Sequence, residues 1–264
     1  MKLSVRGAVR GAVRGLPAAA PWRVSVCLCL LLAPVLFGQE SLWRANLDAG
    51  RAALSDGKAA EAETSFEASL KSARSAGLAN ANVAASLIGL GDARMLAGRA
   101  AEAEQSYREA LALRPQPDVK ALLPALRGVG RAVLTQGRLA EAEEAYVRAL
   151  ELDEEALRPD DPARGLTLKG LASAYEAQGK YAAAQPLYES ALEVEEKALG
   201  PDSGPVAETL LQLASLYGRL GRFVEANALM GRLVEQAEAR EGLEPGGGGR
   251  GGAPRQDRGG PRRL

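Results

Sequence analysis

Histidine is absent from all 264 residues, and the only two cysteines, Cys27 and Cys29, both lie inside one apolar run near the N-terminus. Beyond that run the chain has neither imidazole nor thiol. This excludes imidazole acid–base catalysis, thiol nucleophiles, disulfides and the usual zinc ligands. A cysteine-free body is stable in oxidising and reducing compartments alike, so cysteine usage does not locate it. Motif chemistry is missing too: there is no phosphate-cradling G-x-x-x-x-G-K-[ST], no G-x-S-x-G nucleophile turn and no metal-ligand spacing. The paired acids Glu154-Glu155 and Glu195-Glu196 read as solvated helix faces that pair with bases at i,i+4. The sequence therefore predicts no enzyme, no catalytic residue, no metal and no cofactor.

Charge is scarce only in the net. Lysine plus arginine equal aspartate plus glutamate, but the balance is uneven along the chain. Residues 1–39 carry Lys2, Arg6, Arg10, Arg14 and Arg23 and no acid, and residues 243–264 carry five arginines against Glu244 and Asp257. Residues 40–242 therefore sum to −8. An acidic body does not suit phosphate binding, which needs clustered cations to displace counterions, so no nucleic-acid partner is expected.

What is plentiful is alanine, leucine, glutamate and arginine, residues that lose little freedom in a helix. They are organised by one recurring motif: glycine, a basic residue, variable residues that are often acidic, then alanine. It begins at Gly57-Lys58, Gly98-Arg99, Gly137-Arg138, Gly179-Lys180 and Gly221-Arg222, with glycines 41, 39, 42 and 42 residues apart. A near-constant period of this length is the mark of a solenoid, and five copies exceed the roughly three needed for stability. Each glycine separates two helical patterns. Leu168, Leu171, Ala172 and Tyr175 precede one; Ala184, Leu187, Tyr188, Ala191 and Leu192 follow it, spaced as one helix face. Small residues recur at fixed places: Gly50, Gly91, Gly130, Ala172 and Ala214 in the first helix, and Ala62, Ala103, Ala142, Ala184 and Ala226 in the second. They allow close helix crossings, and Phe66, Tyr107, Tyr146, Tyr188 and Met230 fill the gap toward the next repeat. Copies one and five are atypical, as terminal repeats are: Asn46 and Ala49 stand in leucine positions, and Leu233 in a serine or alanine position.

At these residues the chain resembles the tetratricopeptide repeat, and in particular the longer repeats of kinesin-light-chain-like proteins. The run A-Y-E-A-Q-G-K-Y-A-A-A-Q-P-L-Y-E-S-A-L-E-V-E-E-K-A-L-G-P-D, Ala174 to Asp202, is similar to that pattern. The connectors beginning Leu157-Arg158-Pro159-Asp160 and Leu199-Gly200-Pro201-Asp202 are similar to the family's L-G-P-D-H-P segment, without its histidine. The resemblance covers about residues 43–242 and implies an all-α, right-handed α-solenoid of about five helix pairs. The copies fall at about 43–76, 84–117, 123–157, 165–199 and 207–242 within an array spanning 40–242. It further implies a protein–protein interaction scaffold that holds a peptide or protein in a concave groove. A self-associating structural or envelope-assembly protein is the alternative, with an enzyme of unrecognised type behind it. Counting back from each turn glycine places Leu47 and Arg51, Ile88 and Asp92, Arg127 and Arg131, Lys169 and Ser173, and Leu211 and Ser215 on the groove. Arg51, Arg127, Arg131 and Lys169 are the candidate binding residues. Guanidinium forks suit carboxylates, so an acidic peptide is the expected partner.

Both ends differ from the array. The Gly-, Pro- and Arg-rich residues 243–264 cannot bury enough apolar surface to fold and read as a flexible, solvated end. Residues 1–39 combine a basic, acid-free stretch with the apolar run Val24 to Phe37. Fourteen residues at about 1.5 Å each fall short of a ~30 Å hydrocarbon core. The segment reads as a secretory signal, with an uncleaved membrane anchor and an organellar transit peptide as alternatives. Export to the periplasm or the exterior follows, with membrane contact only through this leader. Mass spectrometry of the native protein should find an N-terminus near Gln39 or Glu40. Met1 retained in a cytoplasmic fraction would show the segment is no export signal.

Overall fold

The computed structural model describes residues 22–241, with side chains from 39 to 239. The basic stretch 1–21 and the tail 243–264 lie outside the described residues, as do the side chains of the apolar run. Among the described residues there are ten helices and no strand. They pair as α1 (Trp22–Ser55) with α2 (Ala59–Ser75), α3 (Asn80–Leu96) with α4 (Ala100–Ala112), and α5 (Val119–Thr135) with α6 (Leu139–Ala156). Next come α7 (Pro162–Ala177) with α8 (Tyr181–Leu199), and α9 (Gly204–Arg219) with α10 (Phe223–Glu241). This is an all-α solenoid of five helix pairs. Among the described residues no helix is long and apolar enough to cross a membrane.

The turn inside each pair explains the first half of the motif. Gly57, Gly98, Gly137, Gly179 and Gly221 all have φ between 73° and 76°, a left-handed conformation that side chains disfavour. In the second copy the Gly98 N–H donates to the Met95 carbonyl at 3.0 Å, and the Arg99 N–H to the Arg94 carbonyl at 2.9 Å. That closes the first helix with the paired bonds of a glycine-terminated cap.

The basic residue after the glycine reaches back to the previous repeat. Arg99 pairs with Glu63, Arg138 with Glu104 at 2.6 Å, Lys180 with Glu143 at 3.2 Å, and Arg222 donates to Gln185 at 2.9 Å. Four of the five motifs thus clamp the second helix of one repeat to the turn of the next. Burial pulls the Glu63 and Glu104 carboxyls up. Hydrogen bonds from Arg99 and Arg94 to Glu63, and from Gln136, Arg108 and Arg138 to Glu104, outweigh it and hold both below the usual carboxylate range.

The core is a chain of rings held between backbones. Phe66 lies against Gly50 of its own repeat and Gly89 of the next; Tyr107 against Gly91 and Gly128; Tyr146 against Gly130 and Gly170. A Cβ built on Gly89, Gly128 or Gly170 would stand 2.3, 2.6 or 2.1 Å from a ring carbon, so these positions have no room for one. Tyr188 meets Ala172 in the same way, but Gln212 stands where the next repeat's glycine would be. The first helices also pack on one another, α1 on α3, α3 on α5 and α5 on α7, forming the wall of the groove.

Candidate functional site

Two cavities share Asp92 and Pro124 and together make one groove along the first helices. The upper one, about 330 Å³, is bordered by Arg51, Ile88 and Phe66; the lower, about 390 Å³, by Arg127, Arg131, Tyr146, Leu166, Lys169 and Gln212. Arg127, Arg131 and Lys169 therefore do meet in one concavity, and Arg51 borders its neighbour.

The four cations differ in their surroundings, and two of them are buried. Arg131 is half-exposed. It donates to Asp92 Oδ1 at 2.5 Å and to the Tyr107 hydroxyl at 2.9 Å, while that hydroxyl donates to the same carboxylate oxygen at 2.7 Å. Arg127 does not point to solvent. Its side chain is 14% exposed and its Nη1 lies 3.5 Å from both Asp153 Oδ1 and Thr167 Oγ1. Lys169, 6% exposed, sits 3.1 Å from Glu195 Oε1 and donates to Glu208 Oε2 at 3.1 Å. Arg51 is exposed and pairs with Asp48 on its own helix at 3.4 Å. Of the other positions counted into the groove, Leu47 is buried in the core and Leu211 is exposed.

The two buried cations belong to one repeated arrangement. Arg127, Asp153 and Thr167 recur 42 residues later as Lys169, Glu195 and Thr209, where the Thr209 hydroxyl donates to Glu195 at 2.5 Å. The acid comes from the second helix, and the hydroxyl from the first helix of the following repeat. Glu195 is thus buried, not on a solvated face; its neighbour Glu196 pairs with Arg232. Burial pushes the Asp153 carboxyl up despite the Thr167 hydroxyl and Arg127, and it pushes the Arg127 guanidinium down despite Asp153. Desolvation therefore outweighs attraction across this 3.5 Å pair, and Asp153 Oδ2 has no hydrogen-bond partner.

Sequence reasoning missed two groups. The Tyr146 hydroxyl faces the lower cavity without a hydrogen bond inside the chain, and burial raises its pKa to about 12, so it stays a neutral donor. Gln212 lines the same cavity with a buried, unpaired Oε1. Neither carries a motif of its own; their only signal is the 42-residue register with Tyr188 and Gly170.

Tetratricopeptide repeat models match residues 43–116, 122–194 and 165–239, well over half the sequence. The chain belongs to the tetratricopeptide-repeat family. Comparison with curated proteins returns no match. Among solved structures it is similar to the nearly identical TPR-like repeats of a Podosopora anserina protein named as a kinesin light chain. There the TM-score is 0.58 at 22% identity, covering 75% of this chain and 96% of that one. BtubC (BKLC) from P. vanneervenii gives a TM-score of 0.56 at 22% identity, covering 77% of this chain and 76% of that one. PilF of Pseudomonas aeruginosa gives 0.57 at 18% identity, covering 75% and 78%. At these identities the likeness establishes the solenoid. As a tetratricopeptide-repeat protein, this chain is of a kind that serves protein–protein interaction.

The buried triads predict unequal roles for the two arginines of α5. Arg127→Met leaves Asp153 buried without its cation and should cost about 3 kcal/mol of stability in urea unfolding. Adding Asp153→Leu should recover most of that loss. Arg131→Met should cost about 1 kcal/mol or less, because Arg131 is half-exposed. Equal losses from Arg127→Met and Arg131→Met would contradict the assignment.

Proposed function

We propose that this tetratricopeptide-repeat protein is a non-catalytic scaffold, exported by its basic–apolar leader, whose groove holds an acidic segment of another protein. The observation that carries this reading is the convergence of Arg127, Arg131, Lys169 and the unpaired Tyr146 hydroxyl on one concavity that also exposes Leu166. The cations play two parts. Arg127 and Lys169 are tied to the repeat boundaries behind them. Arg131, together with the free donor of Tyr146, is positioned for an incoming carboxylate. Glu208, exposed at the far side of Lys169, can swing away and release that ammonium to a ligand. Leu166 and Leu211, exposed on adjacent first helices, supply apolar contact beside the charge. A segment alternating acidic and aliphatic side chains matches this lining.

The test is calorimetric titration with peptides that alternate glutamate and leucine, and with the same peptides carrying glutamine for glutamate. Acidic peptides should bind, and the glutamine versions at least about tenfold more weakly, because one charge-assisted hydrogen bond of roughly 1.5–3 kcal/mol is a decade or more. Arg131→Glu should abolish the preference with little change in fold, and added salt should weaken the acidic peptide selectively. Arg127→Glu is unsuitable, since it would set two acids together in the core. Equal affinity for acidic and neutral peptides would place the binding surface elsewhere.

A further inference from the structure

The two ends of the array are finished differently. At the N-terminal end, α1 turns outward Ala45, Asp48, Ala49 and Ala52, all exposed. The corresponding residues of α3 are Ser86, Gly89, Leu90 and Ala93, all buried under the preceding repeat. Asp48 stands where Gly89, Gly128 and Gly170 receive an aromatic ring, so this end has no ring-accepting slot and carries a charge instead. It is a cap of the kind solenoids use to stop their own propagation.

At the C-terminal end, α10 has no such finish. Its outer face carries Phe223, Asn227, Met230, Val234 and Ala237, spaced four, three, four and three residues apart, and all exposed. Phe223 is 65% exposed, Val234 53%, and the adjoining Val224 81%. Register identifies this face. Met230 occupies the place of the rings Phe66, Tyr107, Tyr146 and Tyr188, and Val234 that of Leu70, Leu111, Leu150 and Leu192. Asn227 occupies that of the clamp residues Glu63, Glu104, Glu143 and Gln185. On each earlier second helix this face is the one the next repeat covers, so α10 presents a repeat-docking surface that is exposed among the described residues, and residues 242–264 hold no further copy of the motif. The residues that follow Glu241 are mostly glycine, arginine and proline, with Leu243, Ala253 and Leu264 as the only aliphatic ones beside proline, too few and too scattered to match the stripe.

We propose that this face is covered by α10 of a second copy of the chain, making an isologous homodimer joined at the C-terminal repeat. The four–three spacing is that of a helix pair packing along one seam, and a single asparagine among apolar residues is a known way to fix register and copy number. A two-fold pairing brings Met230 beside Met230 of the second copy, and the apolar stripe meets itself. Head-to-tail stacking is disfavoured, because it would press Met230 and Val234 onto Asp48 and would not close.

The experiment uses the full chain with Cys27→Ser and Cys29→Ser. Light scattering should report a dimer, and Met230→Cys should yield a disulfide-linked dimer on mild oxidation. Ala49→Cys, at the opposite end, should cross-link neither to itself nor, in a mixture, to the Met230→Cys chain. Val234→Lys should leave the helical circular dichroism intact and raise the dimer dissociation constant at least about tenfold. A monomer at all concentrations, a dimer that survives Val234→Lys, or cross-linking between the Met230→Cys and Ala49→Cys chains would each overturn the proposal.

Discussion

Three of the four repeat boundaries in this molecule hang on an aromatic ring held between two helical glycines. A ring of the second helix occupies the space of two missing Cβ atoms, one in its own repeat and one in the next. Two glycines cost about 2 kcal/mol of helix propensity between them. Burying a ring removes about 150–250 Å² from water, worth roughly 4–6 kcal/mol at about 25 cal/mol per Å², so packing wins. Because one ring touches both repeats, it fixes the distance between successive first helices. Those helices are the wall of the groove, so the geometry of the candidate site is inherited from the ring–glycine contacts beneath it.

Charge is added to this frame in two layers. The outer layer is the clamp from each turn's basic residue to the repeat before it, half-exposed and geometrically directed. The inner layer is the buried triad, found only where the second helix is long enough to carry it. α4 has 13 residues and ends early, whereas α6 and α8 have 18 and 19 and reach the position of Asp153 and Glu195. At the boundary before α5 the hydroxyl's place is taken by buried Ala125. At the first boundary Ser86 accepts from the Trp43 indole at 3.0 Å and shares a hydrogen bond with Ser69. The same slot is thus filled by apolar, neutral polar and ionic solutions along one array. Ionic solutions border the groove, and a buried ion pair that desolvation makes unprofitable contributes little to stability, which fits a role in shaping the concave surface.

The helix pairs, their turns and the small–large alternation were legible because they repeat: five copies turn a weak local pattern into a register. The second glycine of each sandwich is not legible in the sequence, although Gly89, Gly128 and Gly170 stand two residues before Gly91, Gly130 and Ala172, because a helical glycine facing a ring from the previous repeat has no local signature. Arg127, Arg131 and Lys169 line one concavity, as their shared register implies, but two of the three are buried. Arg127 and Lys169 are neutralised by acids 26 residues downstream, on the second helix, and a helical pattern alone cannot show that Asp153 and Glu195 face inward. A residue's face is readable from periodicity; its ionic partner on another helix is a property of the packed array.

Thermal unfolding of Gly128→Ala and Gly170→Ala, followed by circular dichroism beside Gly218→Ala, tests the ring–glycine frame most directly. A Cβ at Gly218 meets nothing within 4 Å, so alanine there should hold or raise the melting temperature, as helix propensity alone dictates. At Gly128 and Gly170 the same change should lower it by several degrees, since the methyl group would drive into Tyr107 and Tyr146. If all three substitutions raised the melting temperature alike, the rings would not be holding the repeats in register.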